Sequence, residues 1–227
     1  MGNLEKEVIR AERLSKYYGD GEALVKSVDH VDFSINKGEI TAIVGKSGSG
    51  KTTLLHMLGG LETPTQGKVL VDGVSLYDLR DSRRTKFRRE KIGFIFQKFQ
   101  LVPEMTIRQN IRFPLDVAGK TLDLQLEEEL AELLDLKDRM GFYPHQLSGG
   151  GQQRAAIARA LLMRPEIILA DEPTGNIGEA AGRELLDFIR RSNERYKQTF
   201  VIVTHDMSAA ASAHRMIHLR DGRIEEG

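Results

Sequence analysis

Apolar and polar positions divide this chain into an alternating part, a part with continuous apolar runs and a helical insertion. From about Val8 to Phe33, and again through Val69-Leu70-Val71-Asp72-Gly73-Val74, apolar residues alternate with polar ones and an Asp-Gly pair offers a turn, so antiparallel strands are predicted. Four later runs, Ile40–Val44, Ile92–Phe96, Ile167–Ala170 and Phe200–Val203, are short, apolar and mostly β-branched, which suits parallel strands buried on both faces. Helices are expected over Thr52–Leu58, ending at Gly59-Gly60, over Ala155–Leu162 and over Gly182–Arg195. The segment Met216–Ile224 reads as a closing hairpin. The pattern predicts an α/β fold with a mostly parallel sheet and an N-terminal antiparallel β part.

The stretch from Lys98 to Gln146 interrupts the strand–helix alternation. Pro103 and Pro114 bracket Glu104–Phe113, and Leu122, Leu126, Leu130, Leu133 and Leu134 fall at helical spacing against Glu127, Glu128, Glu129 and Glu132. A helical sub-domain over residues 98–146, inserted into a single domain of residues 1–227, is the expected organisation; the leucine stripe reads as its core. Arg80–Lys91 carries seven basic residues against Asp81 and Glu90, which suits a solvated helix face.

Composition narrows the class. At 227 residues the chain is long enough for one sizeable core and short for two independent domains. Its formal net charge is zero, so overall electrostatics give no reason to expect nucleic acid as a partner. With no cysteine there is no disulfide, thiolate metal site or cysteine nucleophile. Met1–Glu7 lacks the apolar stretch of roughly 7–15 residues that a secretion signal needs, and Lys6 stands where a myristoylation pattern wants Ser or Thr. No apolar run approaches the ~20 residues of a membrane span, so a membrane role is expected only through a partner.

Candidate chemistry lies in three segments. In Gly45-Lys46-Ser47-Gly48-Ser49-Gly50-Lys51-Thr52, set between a predicted strand and a predicted helix, the glycines let successive N–H groups face one anion beside the positive helix end. Lys51 is expected at the β- and γ-phosphates and the Thr52 hydroxyl at Mg²⁺. The cradle comprises Gly45, Ser47, Gly48, Ser49, Gly50, Lys51, Thr52 and Thr53. Asp171, ending the Ile167–Ala170 run, is placed to hold Mg²⁺, and Glu172 to orient and deprotonate a water; by themselves the two also fit an ordinary acidic turn. The third segment, Leu147-Ser148-Gly149-Gly150-Gly151-Gln152-Gln153-Arg154, reads as a glycine nest ahead of a helix, a second anion site. One nucleotide does not need two cradles in one subunit. Two copies facing head to tail, each closing the other's ATP, account for both.

With these three segments in this order, the chain resembles the ATP-binding cassette (ABC) family over nearly its whole length. The resemblance implies a P-loop NTPase core with an inserted helical sub-domain, ATP and Mg²⁺ as ligands, and ATP hydrolysis. It implies that Tyr18 stacks on adenine, with Tyr17 a weaker candidate, that Gln97 reaches Mg²⁺ and the attacking water, and that His205 contacts the γ-phosphate. Ser148, Gly149 and Gly150 would face the γ-phosphate of the other subunit's ATP. Phe99, Leu101, Val102 and Met105 mark the expected groove for a helix of a membrane permease, a partner that would hold the chain peripherally at the cytoplasmic face of the membrane. Two positions depart from the family pattern. Gly151 replaces the usual Gln of the signature and implies altered nucleotide affinity; Gly178 replaces the Asp that usually ends the Gly175-Asn176-Ile177 segment and implies weaker coupling between the two composite sites.

Phe94–Gln97 and Ala170–Asn176 look like the branch of lipoprotein-releasing, macrolide-export, haem-export and antimicrobial-peptide-resistance ATPases. The function expected is therefore the ATP-hydrolysing subunit of an exporter. A mechanotransmitting ATPase of the same branch, acting in cell division, is the alternative. A soluble ABC protein acting on ribosomes or DNA fits less well, because such proteins resemble fused double cassettes or carry a long coiled-coil insertion.

Overall fold

The computed structural model describes residues 6–225; Met1–Glu5, on which most of the N-terminal targeting reading falls, lie outside the described residues. Two strands of alternating pattern, β1 (Glu7–Tyr18) and β2 (Val25–Asn36), pair antiparallel, and β1 also pairs with β4 (Gln66–Val71), which turns into β5 (Val74–Ser75). The sheet order is β2-β1-β4-β5. Asp72 and Gly73, at φ 50° and 77°, form the turn between β4 and β5. Both central residues thus have the positive φ that matches the strand twist in a two-residue hairpin.

The apolar runs form a second sheet from β3 (Ile40–Val44), β6 (Ile92–Ile95), β7 (Ile167–Asp171), β8 (Thr199–Thr204), β9 (Arg215–Arg220) and β10 (Arg223–Ile224). Its order is β10-β9-β3-β8-β7-β6, parallel throughout except for β10. The C-terminal hairpin is present as expected, turning at Asp221 and Gly222 with positive φ at both. Its first strand is more than a hairpin arm, however. Arg215–His218 pairs in parallel with Thr41–Val44, so β9 is a core strand. The local sequence conceals this because β9 alternates buried and exposed residues, as an antiparallel arm does.

Side chains of the central strands divide between two cores. Phe200 and Ile202 enter one with Ile168, Ala170 and residues of the helices α3 (Ile107–Ala118), α4 (Leu124–Leu133), α5 (Gly149–Leu162) and α6 (Glu179–Tyr196). Val201 and Val203 enter the other with Leu169, Ile217, helix α1 (Lys51–Leu58) and the inner face of the antiparallel sheet. The period of two along a strand does this sorting, and each buried aliphatic side chain contributes about 1.5–3 kcal/mol.

The region 98–146 holds α3, α4 and two short 3₁₀ turns, Lys137–Arg139 and Pro144–Gln146. The two prolines do not bracket a separate segment. Helix α3 starts after Thr106 and runs through Pro114 to Ala118. Thr106 and Gln109 form a reciprocal capping box, and Ile107, Ile111 and Leu115 bury one stripe; together these outweigh the single helical hydrogen bond a proline removes. Leu126, Leu130 and Leu134 are buried as the stripe predicts. Helix α2 (Asp81–Lys91) buries no residue, in keeping with its solvated reading. Among the described residues no helix is long and apolar enough to cross a membrane.

Candidate functional site

Where β3 ends and α1 begins, the chain makes a loop that only glycine permits at two points. Gly50 has φ 97°, and a Cβ there would stand 1.9 Å from the Ser27 carbonyl oxygen of β2. At Gly45 a Cβ would lie 2.1 Å from the Leu219 oxygen of β9. The loop is thus seated on both sheets by close backbone approach. Lys51, the first residue of α1, is 7% exposed and folds back so that Nζ donates to the Gly45 and Lys46 carbonyls at 2.9 and 2.8 Å. Ser49 is buried, with its amide on the Lys46 carbonyl and its own carbonyl accepting from Gly222 N at 3.1 Å. Thr53 Oγ1 lies 2.9 Å from the Ser27 hydroxyl.

A cleft of about 930 Å³ opens above this loop. Gly45, Ser47, Gly48, Gly50, Lys51, Thr52 and Thr53 line it, and so do Gln97, Glu172 and His205 from three other strand ends. This is the carboxyl edge of a parallel sheet, where ligands of open α/β folds sit. The exposed amides of the loop, Lys51 and the α1 N-terminus make the floor electropositive.

Asp171 and Glu172 sit side by side in unlike settings. Asp171 ends β7, is 9% exposed, and accepts from the Thr52 hydroxyl at 3.0 Å. Burial pushes its carboxyl above the usual range, opposed first by the Thr52 hydrogen bond. A desolvated carboxylate beside a hydroxyl is the hard oxygen set that Mg²⁺ takes alongside phosphate and water, so these residues fit that ion. Glu172 has φ 43°, a left-handed backbone for a non-glycine residue, pinned by its amide on the Val203 carbonyl at 2.9 Å. Its carboxylate accepts from the Thr204 hydroxyl at 3.2 Å and lies 2.8 Å from His205 Nδ1.

Gln97 connects this cleft to the rest of the molecule. Its carbonyl accepts from Asn176 Nδ2 at 2.7 Å, and its side-chain nitrogen lies 3.3 Å from where a Gly175 Cβ would stand. Asn176 O is 3.1 Å from the corresponding position at Gly149. The segment 175–178 therefore contacts both Gln97 and the start of α5. Ser148, Gly149 and Gly150 themselves do not line the cleft. Nor do these glycines form a nest ahead of a helix, as expected; they are its first turn. Ser148 is the N-cap, with Oγ accepting from Gly151 N at 3.2 Å, so one hydroxyl starts the helix at Gly149. Gly151 is closely packed, a Cβ there lying 3.1 Å from Leu147.

Tyr18 ends β1 opposite Val25 and is 41% exposed, outside the lining of the cleft, while Ser27, two residues along β2 from Val25, does line it. Tyr17 is committed elsewhere, its hydroxyl donating to Asp29. Ser27 and His218 also line the cleft and carry no sequence signal. His218 gets there because β9 pairs it with Val44, a register that only the parallel alignment with β3 sets.

A second, apolar groove of about 330 Å³ runs between α2, β6, α3 and α5, lined by Phe94, Phe96, Phe113, Pro114 and Met163 with Arg89 and Arg159. The expected Phe99, Leu101, Val102 and Met105 are half-buried and do not line it. Leu101 packs on the helical core, and Val102 is fixed through its backbone to Asn110. Arg159 reaches the Phe99 and Gln100 carbonyls, and burial lowers its guanidinium below the usual range.

The model of the family described as ABC transporter matches residues 28–175. The chain is 42% identical over 227 residues to the lipoprotein-releasing system ATP-binding protein LolD of Shewanella frigidimarina (strain NCIMB 400), covering 99% of this chain and 95% of that protein. It is 41% identical over 224 residues to the uncharacterized ABC transporter ATP-binding protein MJ0796 of Methanocaldococcus jannaschii, with 96% and 95% covered. Among solved structures, the dimeric structure of a post-hydrolysis state of the ATP-binding cassette MJ0796 bound to ADP and Pi matches with a TM-score of 0.89 at 38% identity, over 96% of this chain and 97% of that one.

Proposed function

From the premise that this chain belongs to the ABC transporter family and is an ATP-hydrolysing cassette, we propose that it powers a separate membrane permease of an export system, working as a head-to-tail dimer of itself. The observation that carries the two-copy reading is that Ser148, Gly149 and Gly150 stand apart from the cleft holding Lys51, Thr52 and Glu172. A second copy related by a two-fold axis supplies each cleft with the segment it lacks. The similarity to LolD favours an exporter of the lipoprotein-releasing type over a mechanotransmitting one.

In this reading the amides of Ser47 and Gly48 and the Lys51 ammonium bind the phosphates. Lys51 now satisfies itself on loop carbonyls, and exchanges those for phosphate oxygens when ATP enters. Thr52 and Asp171, joined by Gln97, would hold Mg²⁺, which would supply charge neutralisation at the phosphates. Glu172 takes the proton of the attacking water, and the Thr204 hydroxyl and His205 imidazole orient its carboxylate. His205 is exposed enough to turn toward the γ-phosphate. Tyr18 is the platform for adenine. The helical region 98–146 and the apolar groove beside it receive the permease, and closure of the dimer reaches that groove through Gln97, Asn176 and Arg159.

The test is Mg²⁺-dependent ATP turnover against protein concentration for the wild-type chain and for Ser148→Arg. More-than-linear growth for the wild type and loss of turnover with retained nucleotide binding in the variant support the composite site. A linear dependence with an active variant overturns it.

A further inference from the structure

One buried carboxylate that the reaction does not use joins the antiparallel sheet to the phosphate loop. Asp29, on β2, has a side chain only 4% exposed and draws in groups from three strands. The Tyr17 hydroxyl of β1 donates to Oδ1 at 2.5 Å, and His30 Nδ1 lies 2.8 Å from the same oxygen. Arg223 of β10 donates to Oδ2 through Nε and Nη2 at 3.1 and 2.6 Å. Tyr17 first, then Arg223, hold the Asp29 carboxyl well below the usual range. Such a charge-assisted cluster is stronger than neutral hydrogen bonds.

Its position gives it a role. Asp29 N donates to Gly222 O, and Gly222 N donates to Ser49 O, so the turn before Arg223 is wedged between β2 and the phosphate loop. Tyr18 directly follows Tyr17. The β1–β2 ladder reaches this end of β1 only after register shifts between Leu14 and Lys16 and again between Lys16 and Tyr17, before Tyr17 pairs with Lys26 and Tyr18 with Val25. The side-chain cluster braces this bulged end of the ladder from the Tyr17 side chain, tying it through Asp29 to Arg223 of β10. The loop, by contrast, is held by backbone contacts to Ser27 and Gly222 that survive without the Asp29 carboxylate.

We propose that Asp29 is a positioning residue for the nucleotide base: through Tyr17 and Arg223 it sets the end of β1, and with it Tyr18, relative to the phosphate loop. This rests on Tyr18 being the adenine platform. A structural role alone would weaken all ligands of the cleft together, whereas a base-positioning role weakens only those that carry a base.

The experiment is calorimetric titration of the full chain, with Mg²⁺, using a non-hydrolysable ATP analogue and, separately, inorganic tripolyphosphate. The variants are Tyr17→Phe, which removes one hydroxyl, Asp29→Asn and Tyr18→Ala. Tyr17→Phe and Asp29→Asn are each expected to raise the Kd of the analogue about five- to tenfold and that of tripolyphosphate less than about twofold. Equal weakening of both ligands, or no change in either, in Tyr17→Phe overturns the inference while an effect of Tyr18→Ala on the analogue alone keeps the platform reading. If Tyr18→Ala leaves the ratio of the two Kd values unchanged, the platform itself is wrong and the inference falls with it.

Discussion

The adjacent carboxylates Asp171 and Glu172 have unlike surroundings, which suit them to the different tasks proposed for them. Asp171 is buried and its charge is disfavoured; Glu172 sits on a strained backbone with a hydroxyl and an imidazole on its carboxylate. Glu172→Gln is expected to cut turnover at least about 100-fold while ATP binding persists, measured by phosphate release and by nucleotide titration. Unchanged turnover would remove Glu172 from its role. Asp171→Asn is expected to raise Tm without Mg²⁺ at neutral pH and to abolish Mg²⁺-dependent turnover. The sign follows from burial: a carboxyl whose pKa is raised on folding binds more protons folded than unfolded. Wild-type stability therefore falls as pH rises from the ordinary carboxylate value of about 3.9 through the raised one, and the variant lacks that fall. At this scale the motif residues were legible in the sequence. The glycines, Lys51, Thr52, Asp171 and Glu172 are local in the chain, and their chemistry follows from type and spacing. The Thr204 hydroxyl on Glu172 was not legible, because it depends on β7 and β8 lying side by side.

Elements carry the second level of control, chiefly at their ends. Asn110, wholly buried on α3, accepts from Val102 N at 2.6 Å and reaches the Val102 and Met105 carbonyls, both at 3.0 Å. It fastens the chain that follows Gln97 onto the helical region. Asn110→Ala leaves several buried backbone groups unpaired and is expected to cost about 3 kcal/mol, lowering Tm by about 6–12 °C in a thermal melt. A loss under about 1 kcal/mol would mean that water replaces the side chain. Neither this staple nor the passage of α3 through Pro114 could be read from periodicity. A polar residue among leucines gives no sign of where its partners lie, and a proline signal is overridden when capping and burial favour the helix. The glycines at the start of α5 were read as loop for a similar reason: propensity argued against helix, and the Ser148 cap decided for it.

At the scale of the whole molecule, the two sheets meet at the phosphate loop, so nucleotide and fold share one junction. Gly178 is one of the two positions that depart from the family pattern, and the one expected to bear on coupling between two copies. A Cβ there meets nothing within 4 Å, and the residue is the N-cap of α6 without a side-chain cap bond. Gly178→Asp thus fits, and as a better cap it adds only a few tenths of a kcal/mol, shifting Tm by about 2 °C or less. A rise in dimer-dependent turnover beyond twofold would therefore report restored coupling between composite sites, not stability. Turnover unchanged in this variant would show that Gly178 is neutral.

The sequence alone determined the strand and helix alternation, the hairpin turns, the phosphate loop and the acidic pair, since each is fixed by residues a few positions apart whose sterics and periodicity act locally. Tertiary structure decided what needs distant segments to meet. It made β9 a core strand and brought His218 and Ser27 to the cleft. It packed the half-buried Leu101 against the helical core. It gathered Tyr17, Asp29 and Arg223, the last two 194 positions apart, into one cluster. Such contacts form because burying apolar strands leaves few arrangements open, and the polar groups carried in with them must pair where they land.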